Sequence, residues 1–358
     1  MKRWDTFVVL CGYLRAGLLA DARSGPGGGV RWELLIEASS HHFVTPALAW
    51  CLRDQPDLPP EIRDYFDATL VLNGQRNERL IGALGRIGAA LNAIDIEPVL
   101  LKGAARLIDG VYPAAKLRYL GDLDLLIPGD RAAEAAAALK RIGFDAEPGS
   151  MPAPVHHHLP MLRERDTGAA VELHTALGSP ALDPIVSAAW FCENASAVRL
   201  LDSKVRLPDP TRSVAHNVVH DQLNHGNYGA GQVQLRQLLD LAMIRAKYES
   251  AIDWAELDRR FCSVGMGPVL ATYLEFASVL FGQTAPELSH APRKGALVDL
   301  RRKIEWPAIR TLVHLRTPID YVLARRGDPV GLLKRLLAPQ TWSTVIRLVK
   351  DAFDKPKW

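Results

Sequence analysis

Two aspartates lie two residues apart in a short apolar segment, Gly121-Asp122-Leu123-Asp124-Leu125-Leu126-Ile127. The alternation predicts a β-strand, in which neighbouring side chains project from opposite faces. Asp122 and Asp124 are then expected on one face, while Leu123 and Leu125 enter the core. Carboxylates on one face repel each other, and Mg²⁺, which binds oxygen ligands and bridges them to phosphates, relieves the repulsion. The pair predicts metal-dependent phosphate chemistry; a solvated edge strand is the alternative.

A third carboxylate, Glu172, lies in a second apolar segment, Ala170-Val171-Glu172-Leu173-His174. Because Val171 and Leu173 are expected in the core, Glu172 and His174 share the opposite face. Three carboxylates from two adjacent strands can hold two metal ions. One ion lowers the pKa of an attacking hydroxyl, and the other binds a triphosphate and its leaving group. A surface strand of alternating polarity is the alternative interpretation.

Three further residues are candidates for phosphate binding. Gly103 ends a predicted strand and opens a helix, where glycine allows close backbone approach and helical N–H groups favour anions. Lys102 would add positive charge to the same phosphates. Arg118 could reach phosphate or pair with Asp122, and a structural salt bridge is its alternative role. The chain contains no Walker motif.

Histidines accompany the acidic strands. His156, His157 and His158 precede a predicted strand, and adjacent strands could bring His158 and His174 together. Such histidines would support the metal ligands or act as a general base. The alternative is histidine that is solvated or only hydrogen-bonded.

Other metal sites have little support in the sequence. His216 and His220 have helical i, i+4 spacing, but Asn217 occupies the position where a zinc protease motif needs glutamate. The cysteines show no CxxC or Cys/His metal spacing, and we expect them to be free thiols in a reducing cytoplasm. They are Cys11, Cys51, Cys192 and Cys262.

The hydrophobic periodicity predicts an α+β fold: a small mixed β-sheet core with flanking helices and a helical C-terminal region. The predicted strands cover residues 98–101, 122–127, 157–164 and 169–177, with a hairpin turn at 166–168. The predicted helices cover residues 32–93, with a start at Pro60, then 104–111, 131–142 and most of the chain after 208. We expect an N-terminal helical region at 1–79, the core at 80–200 and a helical region at 201–358.

A short apolar run lies near the N-terminus, at residues 7–14. Lys2 and Arg3 before the apolar run at residues 7–14 faintly resemble a signal peptide, but the helical spacing within the run favours an amphipathic helix. No apolar stretch approaches the roughly 20 residues of a membrane span. With 358 residues, 48% of them hydrophobic, and a net charge of +3, the chain is expected to be a soluble cytoplasmic protein.

The C-terminal segment, residues 292–358, is basic, with fifteen lysines and arginines against six acidic residues. A basic helical segment can contact nucleic acid or an anionic membrane surface. Its alternative role is a charged surface that offsets the acidic remainder of the chain.

The order of these motifs resembles a known family. The motifs run from Leu100-Leu101-Lys102-Gly103-Ala104-Ala105 through Tyr112-Pro113, Arg118 and Gly121-Asp122-Leu123-Asp124 to Val171-Glu172-Leu173-His174. The series is similar to the bacterial "nucleotidyltransferase family protein" group of the polymerase-β-like superfamily, over roughly residues 31–290. The resemblance implies a nucleotidyltransferase core that uses two Mg²⁺ ions and a nucleoside triphosphate, with ATP among the candidates.

The resemblance assigns roles residue by residue. Asp122 and Asp124 match the family's metal-binding acidic pair, and Glu172 takes the place of its third carboxylate. Lys102 and Gly103 stand where a phosphate-binding Gly-Ser turn is usual. Two departures are present: no serine follows Gly103, and the third carboxylate is glutamate where many relatives use aspartate.

The function expected from the sequence is transfer of a nucleoside monophosphate to an unknown acceptor, with release of pyrophosphate. The acceptor could be a small molecule, a peptide, a glycan precursor, a protein or RNA. A catalytically degenerate nucleotide-binding or regulatory module is the main alternative, and a metal-dependent hydrolase that uses the histidines is another.

Overall fold

A computed structural model describes residues 2–19, 30–146 and 158–306. The proposed roles of His156 and His157, and of the basic segment beyond residue 306, lie outside the described residues. The four cysteines form no disulfide. Among the described residues, no helix combines the length and the apolar character needed to cross a membrane.

The described residues form a mixed seven-stranded sheet in the order β3-β4-β5-β2-β1-β7-β6. The two central pairs are β1 with β2, antiparallel, and β2 with β5, parallel. The strands are β1 (Val99–Leu100), β2 (Leu123–Leu126), β3 (Phe144–Ala146), β4 (Leu162–Glu164), β5 (Ala170–His174), β6 (Ser196–Leu200) and β7 (Ser203–Leu207).

Fourteen α-helices occur in the described residues, and most of them lie outside the sheet segment of the chain. They are α1 (Arg3–Leu18), α2 (Trp32–His41), α3 (Thr45–Leu52), α4 (Pro60–Asn92), α5 (Lys102–Arg106), α6 (Ala132–Arg141), α7 (Asp183–Val186), α8 (Ala188–Glu193), α9 (Pro210–Val218), α10 (Asn227–Ala230), α11 (Leu235–Tyr248), α12 (Trp254–Ser263), α13 (Gly267–Phe281) and α14 (Ala296–Glu305).

The predicted fold class is confirmed: a mixed sheet with flanking helices. Leu100, Leu123, Leu125, Val171 and Leu173 are all fully buried in one sheet, as their alternation with polar residues predicts. The β4–β5 pair is antiparallel, as the hairpin prediction requires. The helix at the N-terminus is also present, because α1 buries one apolar face in the core.

Three elements differ from the sequence prediction. The helix predicted at 104–111 is the shorter α5, since Asp109 accepts a hydrogen bond from the Val111 N–H and Gly110 adopts a positive φ of 64°. The predicted strand at 157–164 is reduced to β4, because Pro160 has no N–H to donate to a neighbouring strand. The β6–β7 hairpin was not predicted at all.

The sheet separates two hydrophobic clusters. On one face, Leu100, Leu123 and Leu125 pack with apolar residues of α4 and α6. On the other, Leu101 and Leu126 belong to a larger cluster that combines α1–α3 with α9 and α11–α14. The N-terminal and C-terminal helices therefore share one core, and the polar residues of β2 face that helical body.

The long helix α4 also holds the segment that leads into β2. Asn77 donates hydrogen bonds to the carbonyls of Ala115 and Arg118, at 2.7 and 2.8 Å, and Asn73 donates to the carbonyl of Lys116 at 2.7 Å. Both asparagines are buried. Buried amides that pair with backbone carbonyls fix the path of a loop, so α4 sets where β2 begins.

Candidate active site

The pairing of β2 with β5 determines the geometry of the acidic cluster. Asp124 is opposite Glu172, and Leu126 is opposite His174, in a parallel register. Asp122 immediately precedes β2. The three carboxylates line a cleft of about 370 Å³ between the sheet and the helical body, together with Lys102, Gly103, Arg118, Leu120, Gly121, His158, His174, His220, Asn224, His225, Arg236 and Gln237. The lining includes the eight described residues that the sequence predicted for the site: Lys102, Gly103, Arg118, Asp122, Asp124, His158, Glu172 and His174.

Asp124 is the most tightly held of the three carboxylates. Its Oδ1 accepts from Lys102 Nζ at 2.8 Å and from His174 Nε2 at 2.8 Å. Burial alone would raise the pKa of Asp124, but the charge of Lys102 and the hydrogen bond from His174 outweigh it and lower the pKa. Asp124 is therefore a fixed anion at neutral pH.

His174 connects Asp124 with Glu172. Because an ionised carboxylate only accepts, the His174 Nε2 must carry the proton that it donates to Asp124. The same nitrogen lies 3.6 Å from Glu172 Oε2. Burial would lower the pKa of His174, but the two carboxylates raise it, and the nearby His174 N–H lowers the pKa of Glu172. His158 packs beside His174, with ring centroids 5.2 Å apart, as predicted from adjacent strands.

Asp122 differs from both of the other carboxylates. In the described part of the chain, no side chain donates a hydrogen bond to it. Burial, followed by the charges of Asp124 and Glu172, raises its pKa to about 6, against the opposing charges of Lys102 and Arg236. In an ionised Asp122, burial and the two neighbouring carboxylates outweigh the charges of Lys102 and Arg236, and a bound cation relieves this imbalance.

Lys102 and Gly103 are the first two residues of α5, which begins directly after β1 and Leu101. Lys102 has a left-handed backbone with φ of 45°, which is uncommon for a residue with a side chain. A Cβ on Gly103 would lie 2.9 Å from Leu120 Cγ, so the glycine allows the segment before Asp122 to pack closely against α5. This start of α5 places the Lys102 ammonium within hydrogen-bonding distance of Asp124.

Arg118 pairs with Asp240 of α11 and not with Asp122. Its guanidinium makes a buried, two-point contact with that carboxylate, with Nη2–Oδ2 at 2.6 Å and Nε–Oδ1 at 2.9 Å. Tyr112 donates to the same carboxylate at 2.7 Å. This is the structural salt bridge that the sequence left open as the alternative role of Arg118.

The helical body supplies residues that the sequence did not place beside the acidic strands. Helix α9 continues as a wider π-helical segment, Val219–Asn224, which brings His220 and Asn224 to the cleft. Short π-helical turns are frequent at functional sites. Burial, then the charges of Lys102 and His216, lowers the pKa of His220 well below its usual value, so its imidazole is neutral.

Arg236 is a cation of the cleft that the sequence did not place there. It lies at the start of α11 and lines both the cleft and a neighbouring cavity, also about 370 Å³, which includes Phe43 and Lys303. Its guanidinium lies 5.1 Å from the centre of the Phe43 ring. A lone arginine in the second half of the chain gives no local sequence signal that it faces β2.

Glu164, another carboxylate of the same hairpin, is directed away from the cleft. It is buried and accepts two-point contacts from Arg86 of α4, with Nη2 at 2.6 and 2.8 Å from its two oxygens. It lies on the sheet face that carries Leu162, whose partner Val171 belongs to the α4-side core. It is therefore not a substitute for Glu172.

The donor atoms in the cleft suit a divalent cation. Carboxylate oxygens of Asp124 and Glu172 lie within 4.8 Å of each other, and Asp122 lines the same space. Carboxylate oxygens are the ligands that Mg²⁺ prefers. Lys102 and His174 donate their hydrogen bonds to Asp124, and none of the described side chains donates one to Asp122.

Comparison with known proteins identifies the family of the chain. No curated protein and no solved structure matches the chain significantly. A family model described as "uncharacterised nucleotidyltransferase" matches residues 28–282, more than half of the chain, and spans every residue of the cleft. The chain belongs to this nucleotidyltransferase family.

Proposed function

We propose that the protein is a Mg²⁺-dependent nucleotidyltransferase. An acceptor hydroxyl attacks the α-phosphate of a nucleoside triphosphate, the bond to the β-phosphate oxygen breaks, and pyrophosphate leaves. One observation carries the proposal: Asp122, Asp124 and Glu172 line one cleft where β2 pairs with β5, and no described side chain donates a hydrogen bond to Asp122.

The three carboxylates would hold the metal. Asp122 offers an uncompensated charge, Asp124 is a fixed anion, and Glu172 stands beside it in register. Bound Mg²⁺ supplies stabilisation of the phosphate charge and a lower pKa for the attacking hydroxyl. His174 orients Asp124 through its 2.8 Å hydrogen bond.

The cations of the cleft are suited to the triphosphate. The Lys102 ammonium and the Arg236 guanidinium line the same space as the carboxylates and would pair with phosphate oxygens. Glu172, whose pKa lies below its ordinary value, is ionised and can accept the proton of the acceptor hydroxyl. Catalysis would rest mainly on positioning and on charge stabilisation.

The acceptor would occupy the cavity beside the cleft. Arg236 lines both spaces, so an acceptor held there lies next to the triphosphate. The cavity contains the aromatic ring of Phe43 and the polar side chains of Asn227 and Gln234. These groups suit an acceptor with both an apolar and a hydrogen-bonding part.

The test is incubation with each labelled triphosphate, Mg²⁺ and cell extract, followed by identification of the labelled product and of pyrophosphate. Asp124→Asn and Glu172→Gln should each reduce turnover by at least about 100-fold, the scale of losing one charge stabiliser. The double variant should lose less than the product of the single losses, because the residues act as a unit. Asp67→Asn, an exposed change on α4, serves as control. Undiminished turnover in Asp124→Asn would refute the mechanism.

A catalytically degenerate nucleotide-binding module is the second candidate. Two observations favour it: Lys102 already pairs with Asp124, and alanine stands where a serine usually follows the glycine. Such a module would bind Mg²⁺ and nucleotide tightly and release no pyrophosphate with any acceptor in the extract. Pyrophosphate release that depends on Asp124 would exclude it.

A further inference from the structure

A second cluster of metal-ligating side chains lies outside the cleft. Asp258 and Cys262 are four residues apart on α12, so they lie on the same side of the helix. His290 approaches them from the irregular segment between α13 and α14. The ligand atoms of these three residues lie within 4.8 Å of one another.

The distances within the cluster match those of a tetrahedral zinc site. Cys262 Sγ is 3.3 Å from His290 Nδ1 and 3.5 Å from Asp258 Oδ1. In tetrahedral zinc, bonds of about 2.3 Å to sulfur and about 2.0–2.1 Å to nitrogen or oxygen place the ligand atoms roughly 3.5 Å apart. The side chains would need little movement to bind the ion.

A glycine makes room for the cluster. A Cβ on Gly267 would lie 2.6 Å from His290 Nδ1 and 3.0 Å from Cys262 Sγ. Gly267 is not among the residues with a positive φ, so its backbone does not require glycine. A side chain at this position would fill the space beside the His290 imidazole and the Cys262 thiol.

The carboxylate is held in a way that leaves one oxygen available. Asp258 Oδ2 accepts hydrogen bonds from both the backbone N–H, at 3.1 Å, and the hydroxyl of Ser289. Its other oxygen, Oδ1, is directed at the Cys262 thiol. Partners of this kind orient metal-binding carboxylates and raise metal affinity.

We propose that Asp258, Cys262 and His290 bind one Zn²⁺ ion, with water as the fourth ligand. Thiolate and imidazole favour zinc over Mg²⁺, which separates this cluster chemically from the three carboxylates of the cleft. The Cys262 thiol proton passes to solvent when the sulfur binds. The ion would tie the segment around His290 to α12, and so fix α14, whose Leu300 and Lys303 line the cavity beside the cleft.

The test uses the full chain, stripped with a chelator and then titrated with Zn²⁺ and, separately, with Co²⁺. The wild type should bind one zinc that Mg²⁺ does not displace, and Co²⁺ should give a near-ultraviolet thiolate-to-metal absorption. Cys262→Ser should abolish that absorption, and His290→Ala, at an exposed position, should weaken zinc binding at least about 100-fold. Ser289→Ala should weaken it about 10-fold, the scale seen for residues that orient metal ligands.

Controls separate this site from the cleft and from folding defects. Cys192→Ser and Asp124→Asn should both retain the cobalt–thiolate absorption, because neither residue belongs to the cluster. Gly267→Ala should weaken zinc binding while the helical circular dichroism is unchanged. The absence of the absorption in the wild type, or its persistence in Cys262→Ser, would overturn the proposal, whatever the outcome of the nucleotidyl-transfer assays.

Discussion

Two acidic regions lie near Arg118, and the charges of their carboxylates are compensated to different extents. Behind the cleft, Asp240 accepts two-point contacts from Arg118 and a hydrogen bond from Tyr112, and these interactions overcome burial and lower its pKa. Inside the cleft, Asp122 lies beside Asp124 and Glu172, and burial with their charges raises its pKa to about 6.

The difference separates a structural carboxylate from a ligand-binding one. A buried charge with a complete set of partners stabilises one conformation, whereas a buried charge without partners lowers stability until a ligand supplies the missing charge. Asp240 belongs to the first class, and we assign Asp122 to the second. Removing the charge of Asp240 is therefore expected to lower the free energy of unfolding, and removing the charge of Asp122 is expected to raise it.

Removal of the Asp240 charge should have the largest effect. Asp240→Asn leaves the buried Arg118 guanidinium without its anion, and breaking a buried pair in this way costs about 3–5 kcal/mol. Urea unfolding at pH 7 measures the loss. The double variant Arg118→Met/Asp240→Asn should recover much of the stability, because no unpaired charge remains. Equal stability of Asp240→Asn and the wild type would show that the Arg118–Asp240 pair does not stabilise the fold.

An intermediate effect is expected at Lys102, which faces both phosphate and Asp124. Lys102→Ala should raise the Kd of the triphosphate about 10-fold, equivalent to about 1.4 kcal/mol, because one phosphate-pairing cation is lost. The affinity for Mg²⁺ alone should rise, since Lys102 no longer competes for Asp124 Oδ1. Calorimetric titrations measure both, with exposed Lys140→Ala as the control. Unchanged nucleotide affinity would show that Lys102 pairs with Asp124 and does not contact the triphosphate.

The smallest effect is a gain in stability at Asp122. Folding raises the pKa of Asp122, so below about pH 4 its carboxyl is protonated and the fold is not destabilised by its charge. As the pH rises through about 6, Asp122 ionises and this part of the stability is lost. Without metal, Asp122→Asn should therefore be more stable than the wild type at pH 7–8 and nearly equal at pH 4. The gain is on the order of 1 kcal/mol, because one pKa unit is about 1.4 kcal/mol and water reaches part of the side chain.

Thermal melting between pH 4 and pH 8 checks this sign. The difference between Asp122→Asn and the wild type should grow with pH in a chelator and shrink when Mg²⁺ and nucleotide are added. A destabilised Asp122→Asn at pH 8 would mean that the Asp122 carboxylate has a partner that stabilises its charge.

The strands around the acidic pair could be predicted because the pattern that specifies them lies within a few consecutive residues. Alternation of aspartate and leucine fixed both the strand and the face of each side chain, and the same holds for Glu172 and His174. The β6–β7 hairpin was missed although Lys204 and Arg206 alternate with Val205 and Leu207. Only a modest part of that hairpin is buried, so its apolar signal is weak.

The residues supplied by the helical body could not be placed from the sequence. Arg236 and Asn224 are more than ninety residues beyond Asp124, and only the packing of α9 and α11 against the sheet brings them to it. The sequence does mark Asp240 as unusual, because this aspartate interrupts the apolar run Leu238-Leu239-Asp240-Leu241-Ala242. A charge within a buried helical face predicts a buried partner, but it does not name Arg118.

The central claim is that the unpartnered carboxylate of the cleft holds a divalent cation with the nucleotide. Its most direct test is calorimetric titration of Mg²⁺ into the protein with a non-hydrolysable triphosphate, for the wild type, Asp122→Asn and the exposed control Asp67→Asn. We predict that Asp122→Asn weakens Mg²⁺ binding at least about 10-fold, or about 1.4 kcal/mol, while Asp67→Asn matches the wild type. Equal Mg²⁺ affinity in Asp122→Asn and the wild type would contradict the account.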